Sequence, residues 1–381
     1  MKSRNIELTV LKALGIIVVV SCHSGVNLFN MIGIPISLTT ELFPEYSYHM
    51  PLFIFASGYF YKRIYESNLL ELGVKRFPSL IKYEKCNLFY FLLCFILIDL
   101  GFLSRDINFT FKSLLIEPFL GGFQFYFNGP AWFVPFLFLL QIIFTGIRKV
   151  IGLKFDSFRN GFDTNLRQES IFLVILIVIG FISASLSNIY PVINDSMNMS
   201  QSFLRILFGL QFFQLGFFYK EFLEKKVNLS YISFLIVVIF KIIVYLIFGY
   251  YTFSLRTIKF NNHSMLPFVV SILGIVYCLH LVKFIISIGC KINSRIISVM
   301  CIIGDNTWSI MMHHLLIKWC LSGIYDLKIL PNSLSVAGNY LISPILCIIL
   351  PIVFAYLYDS LLSRLQNQDK SIAIFSLNNK G

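Results

Sequence analysis

The chain has 381 residues, of which 57% are hydrophobic and only 13% charged, with a formal net charge of +12. Its mean hydropathy is +0.78. A soluble domain carries about 25% charged residues, so this composition excludes an ordinary soluble enzyme and predicts an all-α polytopic membrane protein. The basic excess lacks the dense Lys/Arg stripe with interleaved aromatics that nucleic-acid readers carry, so no nucleic-acid partner is expected.

Ten apolar segments are predicted as transmembrane helices, at 8–29, 46–61, 86–103, 130–147, 170–187, 203–219, 231–250, 265–288, 296–320 and 341–361. A bilayer core about 30 Å thick needs about 20 apolar residues per helix. The ninth segment is interrupted by Gly304-Asp305-Asn306, which predicts a short helix followed by the span proper. One domain is expected over residues 1–362, with a polar, loosely ordered cytoplasmic tail at 363–381.

Charge placement tests that count. Among the 31 Lys and Arg, only Arg105, Lys112, Arg256, Lys259 and Lys328 fall in one set of alternate loops. Lys12, Arg205, Lys241 and Lys318 lie within or at the ends of spans, and the others fall in or around the opposite loops and the termini, Lys283 near the end of the eighth segment among them. This alternation predicts that both termini are cytoplasmic, because Lys and Arg are retained on that side. Lys12 and Arg205 are the intramembrane cations that most need a polar reason.

The eight cysteines lie mostly in apolar runs without a C-x-x-C pair, and no metal site is expected. The first segment, "LKALGIIVVVSCHSG", admits an export-signal reading with Cys22 as a lipid acceptor. A removed leader would spoil the charge alternation, so a spanning helix is the better reading. Eleven residues at about 100° each return within about 20° of the starting face, so Lys12 and His23 share one stripe about 16 Å apart along the axis.

Histidine is the side chain best suited to exchange a proton near neutral pH. Four of the six histidines, His23, His49, His313 and His314, fall in the first, second and ninth segments. Pro51 follows His49 at a helix start, and Ser57-Gly58 permits close helix approach. His263 and His280 have no comparable surroundings and read as structural or exposed. A histidine-rich cavity inside the bilayer favours proton-transfer chemistry over passive transport.

Together these stretches resemble the acyltransferase 3 family of integral membrane O-acyltransferases, which decorate bacterial surface sugars. Lys12-x10-His23 is similar to the Arg-x10-His of the family's first helix, and "HMPLFIFASGY" (49–59) to its second-helix motif. "KRFPSLIKY" (75–83), "AWFVPFLFLL" (131–140) and "GDNTWSIMMHH" (304–314) resemble three further family patches. Lysine at position 12 keeps the charge of the usual arginine but not its planar fork.

The resemblance implies a membrane O-acetyltransferase in the bacterial cytoplasmic membrane. Acetyl-CoA would be the donor, and the acceptor a hydroxyl of a surface polysaccharide or its lipid-linked precursor. His23 would be the general base or transient acyl acceptor, with His49, His313 and His314 orienting it or shuttling protons. Lys12 would steady the thioester. Ser57, Asn306, Trp132 and Arg205 are the expected substrate-binding residues. Lys75, Arg76 and Lys82, on the basic inner face, would attract the CoA phosphates. A glycolipid transporter or flippase is the alternative; internal repeats and intramembrane acids, its usual marks, are missing here. A non-catalytic scaffold that kept the fold is the third reading.

Overall fold

The computed structural model describes residues 5–24, 42–103, 110–120, 125–151, 162–190, 198–227, 229–326 and 342–378. Residues 25–29 of the first expected span and most of the expected loop 30–45 lie outside them.

α1 (Ile6–Ser24) is the central post of a helical bundle. The side-chain oxygen of Asn5 accepts from the Leu8 amide at 3.0 Å and starts the helix. Leu8, Val10, Leu11, Ala13, Ile16, Val19 and Val20 are buried around it. Its neighbours are α2 (His49–Tyr59), α8 (Leu266–Lys291), α9 (Ser294–Asp305), α10 (Thr307–Asp326) and α11 (Ser343–Asn378).

The remaining long helices are α3 (Leu69–Asp99), α4 (Phe133–Ile151), α5 (Phe162–Ile189), α6 (Met199–Phe218) and α7 (Tyr231–Phe248). Among the described residues there is no strand, only one bridge between Ser254 and Lys259.

Among the described residues, seven helical segments are long and apolar enough to cross a membrane: Ile6–His23, Phe127–Ile151, Asn165–Ile189, Met199–Leu223, Tyr231–Phe248, Leu266–Lys291 and Ser343–Leu361. The other three expected spans also fall on helices. The second is the 11-residue α2, the third is the second half of α3, and the ninth divides into α9 and α10. The break at 304–306 is therefore real, with Asn306 closing α9.

Two segments differ from expectation. Lys75, Arg76, Lys82 and Lys85 do not form a loop but ride on the first half of the 31-residue α3, which Asn68 caps by accepting from the Glu71 amide. Leu, Glu, Lys and Arg, all good helix formers, make up nearly half of the residues between Asn68 and Asp99, and Pro78 does not break the run. The final helix likewise continues to Asn378, beyond the expected start of a loose tail. Residues 352–378 contain neither Gly nor Pro to stop it.

α2 is held by contact with glycines rather than by length. Gly58 on α2 and Gly216 on α6 leave the two backbones in direct contact at Phe213 and Phe55. Small residues at such crossings let helices approach closely where lipid offers no hydrophobic drive. At the basic end, Arg148 is fully enclosed. It donates to both Glu169 carboxylate oxygens at 2.8 and 2.7 Å and to Glu66 at 2.6 Å. Gln214 adds a bond to Glu169 at 2.8 Å. This clamp ties α4, α5 and α6 to the short helix Ile64–Ser67.

Candidate active site

α1 carries Lys12 and His23 into two different cavities. Lys12 lines an inner cavity of about 240 Å³ with Ser57, Arg76, Gln141, Phe53, Phe133 and Trp308. His23 lines an outer cavity of about 300 Å³ with His49, Tyr46, Trp132, Ser254 and Arg256. α2 runs antiparallel to α1, so His49 at its start reaches the outer cavity while Ser57, near its end, reaches the inner one. Phe53 and Phe133, with ring centroids 6.1 Å apart, line the inner cavity, while Met50, Pro51 and Trp132, near them in the chain, line the outer one. Gly15 on α1 faces Phe53, so that ring packs on helix backbone.

The inner cavity is unusual for its unmet polar atoms. Arg76, Gln141 and Trp308 line it, and Arg76 Nε, Gln141 Oε1 and Trp308 Nε1 are buried without a hydrogen-bond partner. Buried polar groups normally find partners, which makes this cavity a candidate ligand site. Lys82 stands beside Trp308, its ammonium 3.9 Å from the ring centroid. Lys75 lies further out, 5.4 Å from the Tyr65 ring. Lys12 is 6.0 Å from the Phe60 ring. Ser57 donates to the Phe53 carbonyl of its own helix at 2.9 Å.

The outer cavity gathers histidines. The rings of His23 and His314 lie 5.4 Å apart, tilted by 41°. His314 Nδ1 approaches the Ile310 and Met311 carbonyls at 2.8 and 3.1 Å. Carbonyls only accept, so the ring proton resides on Nδ1 and Nε2 keeps a lone pair; that nitrogen is buried without a partner. His49 uses its Nδ1 in the same way toward the Glu45 carbonyl at 2.5 Å, with Tyr46 edge-on at 5.2 Å. Lys318 donates to the His23 carbonyl and fastens the end of α1 to α10.

Six expected site residues line neither cavity: His314, Lys75 and Lys82, placed above, and His313, Asn306 and Arg205. His313 points around α10 to Tyr90, whose hydroxyl lies 2.8 Å from its Nδ1, and lines neither cavity. Asn306 closes α9, its side chain donating to the Ile302 carbonyl at 2.9 Å, while its neighbours Thr307 and Trp308 line the inner cavity. Arg205 is 1% exposed and sits behind the outer cavity rather than in it, its guanidinium 4.9 Å from the Trp132 ring. His280 is structural, bonded to Ser233 and to the Val276 carbonyl.

Sequence reasoning missed Tyr46 and Arg256. Tyr46 stands three residues before His49, a spacing that one helical turn brings together. Arg256 carried no signal beyond being one of few cations in its set of loops.

Chemically, the arrangement offers a cation-flanked cavity bordered by aromatic rings, and a second cavity with imidazoles carrying lone pairs in a largely apolar surround. Such a site can deprotonate a hydroxyl on one side and hold an acyl donor on the other. No curated protein and no solved structure matches the chain. The acyltransferase domain family matches residues 5–358, nearly the whole length. With that match across the helices that carry Lys12, His23 and His49, the chain belongs to acyltransferase family 3 and is an integral membrane acyltransferase.

Proposed function

We propose that the protein is an O-acetyltransferase of the bacterial cytoplasmic membrane. It takes acetyl from acetyl-CoA at the basic end and delivers it to a hydroxyl of a surface polysaccharide or its lipid-linked precursor on the other side. The observation that carries this reading is the placement of Lys12 and His23 on one helix but in two different cavities. Both termini are cytoplasmic in this reading, so the inner cavity opens toward the cytoplasm, where CoA resides.

The phosphates of the donor meet Arg76, Lys75 and Lys82. Its amide-rich arm satisfies Arg76 Nε, Gln141 Oε1 and Trp308 Nε1. Lys12 stands on the approach to the thioester. In the outer cavity, His23 removes the proton of the acceptor hydroxyl. The oxygen attacks the thioester carbonyl, a C–O bond forms, the C–S bond breaks, and CoA leaves as the thiol with the proton that His23 accepted. His314 accepts from the His23 imidazolium through its free Nε2 and stabilises it. Trp132 and Tyr46 give the acceptor sugar aromatic faces.

The test is proton NMR of surface glycan from the native host carrying the wild type, His23→Ala or no protein. O-acyl signals found only with the wild type, and removed by mild alkali, are expected. Identical glycan in all three, with folded protein present, overturns the proposal. Flipping of a labelled glycolipid in proteoliposomes without acyl-CoA favours a transporter instead.

A further inference from the structure

The segment 251–263 joins α7 to α8 and forms a built wall of the outer cavity. Tyr251, Phe253, Leu255, Ile258 and Phe260 are buried in the main core. The Tyr251 hydroxyl donates to the Phe260 carbonyl at 2.8 Å, and Ser254 and Lys259 exchange backbone bonds at 3.1 and 3.0 Å. The Phe253 amide donates to the Tyr46 carbonyl at 3.3 Å, which docks the segment against the start of α2. Ile258, Asn261 and Asn262 adopt left-handed φ values of 46°, 49° and 61°. For a β-branched residue such as Ile258 that conformation is disfavoured, and it persists only where the surroundings over-determine it.

This scaffold turns Ser254, Leu255 and Arg256 toward the cavity that holds His23 and His49. Arg205 holds the wall in place from behind. One of its guanidinium nitrogens donates to the Arg256 carbonyl at 3.3 Å and another to the Leu120 carbonyl at 2.9 Å. The same guanidinium stacks on Trp132, which lines the cavity. Arg205 therefore registers Arg256 against the indole face. Arg256 is the Lys or Arg side chain among the described residues lining this cavity. The matching loops hold few other cations, so one of them is committed to the cavity wall.

We propose that Arg256 is a specificity residue: the outer cavity recognises a sugar bearing an anionic group, phosphate or carboxylate, which the guanidinium pairs while the sugar ring lies against Trp132. Guanidinium suits either anion because its planar fork can bond two oxygens at once. This rests on the reading that the outer cavity receives the acceptor. Arg205 is the positioning residue that acts through Arg256 and Trp132.

The experiment is saturation-transfer NMR on the full chain in nanodiscs, so that binding is read without any acyl transfer. The probes are methyl glucoside, methyl glucuronide and glucose 1-phosphate. The wild type is expected to bind at least one anionic probe about tenfold or more tightly than the neutral one, as a charge-assisted hydrogen bond implies. Arg256→Gln abolishes that preference, Arg256→Lys keeps part of it, and Lys259→Gln, a cation on the same segment, leaves it intact. Preference for glucose 1-phosphate assigns the anion to a phosphate-linked sugar; preference for the glucuronide assigns it to an acidic sugar.

Equal binding of all probes to the wild type overturns the proposal, and so does binding of none of them. A preference that survives Arg256→Gln, or that Lys259→Gln removes equally, also overturns it. The wild-type comparison stands even if a variant fails to fold. Anion-selective binding without any glycan acylation would sink the transferase reading while leaving this one intact.

Discussion

Gly58 offers a direct test of how helix contact supports the site. A Cβ at this position would lie 2.7 Å from the Phe213 carbonyl carbon and 3.0 Å from Phe213 Cα. From the other helix, a Cβ at Gly216 would lie 2.8 Å from the Phe55 carbonyl carbon. Carbon atoms rest at about 3.5–4.0 Å, so Gly58→Ala must part α2 from α6 by about 1 Å. Both obstacles are backbone, which cannot rotate away as a side chain can. Overpacking of this kind costs about 1–3 kcal/mol. The same displacement moves His49 and Ser57 together, and an error of about 1 Å in a reacting group can cost about 10²-fold in rate. Gly73 on α3 faces open space, so Gly73→Ala serves as the control. Purified variants would be compared by thermal denaturation in detergent and by O-acyl content of host glycan. A Gly58→Ala protein with wild-type midpoint and wild-type acylation would refute the claim that the α2–α6 contact sets the site.

Two further predictions follow from the buried polar groups. His314→Ala should lower the acyl-transfer rate by about 10²–10⁴-fold, whereas His313→Ala, whose ring faces Tyr90, should change it less than about tenfold. Initial rates with equal amounts of folded protein separate the two, and equal losses would remove His314 from the proton path. Glu169→Met strands the Arg148 guanidinium, whose side chain is 0% exposed, and should destabilise by about 3–5 kcal/mol. Arg148→Met combined with Glu169→Met should recover part of that loss in a denaturant titration; a double variant less stable than Glu169→Met would contradict it.

The helices were legible because hydropathy reports burial in lipid directly: each of the ten expected segments overlaps a described helix, and seven of those helices are long and apolar enough to cross a membrane. Lys12, His23 and His49 were legible for a different reason. Their relation is local, set by helical period along α1 and by the helix start at His49. Where partners come from distant segments, the residues alone carried no signal. Arg148 read as a loop cation, yet Glu66 and Glu169 enclose it from 82 and 21 positions away. Arg205 read as a binding residue because an intramembrane cation needs a reason; its reason is the Arg256 carbonyl and the Trp132 face. His313 and His314 were indistinguishable as neighbours, although about 100° of helical rotation sends one to Tyr90 and the other to His23.

The segment 251–263 is bound to the bundle by the Tyr46 carbonyl, by Arg205 and by five apolar side chains sunk in the main core. Its Ser254, Leu255 and Arg256 line the outer cavity, and none of its residues lines the inner one. A change at an exposed part of those three side chains therefore reshapes one cavity and leaves the lining of the other untouched, whereas a change at any of the five core residues loosens the wall itself.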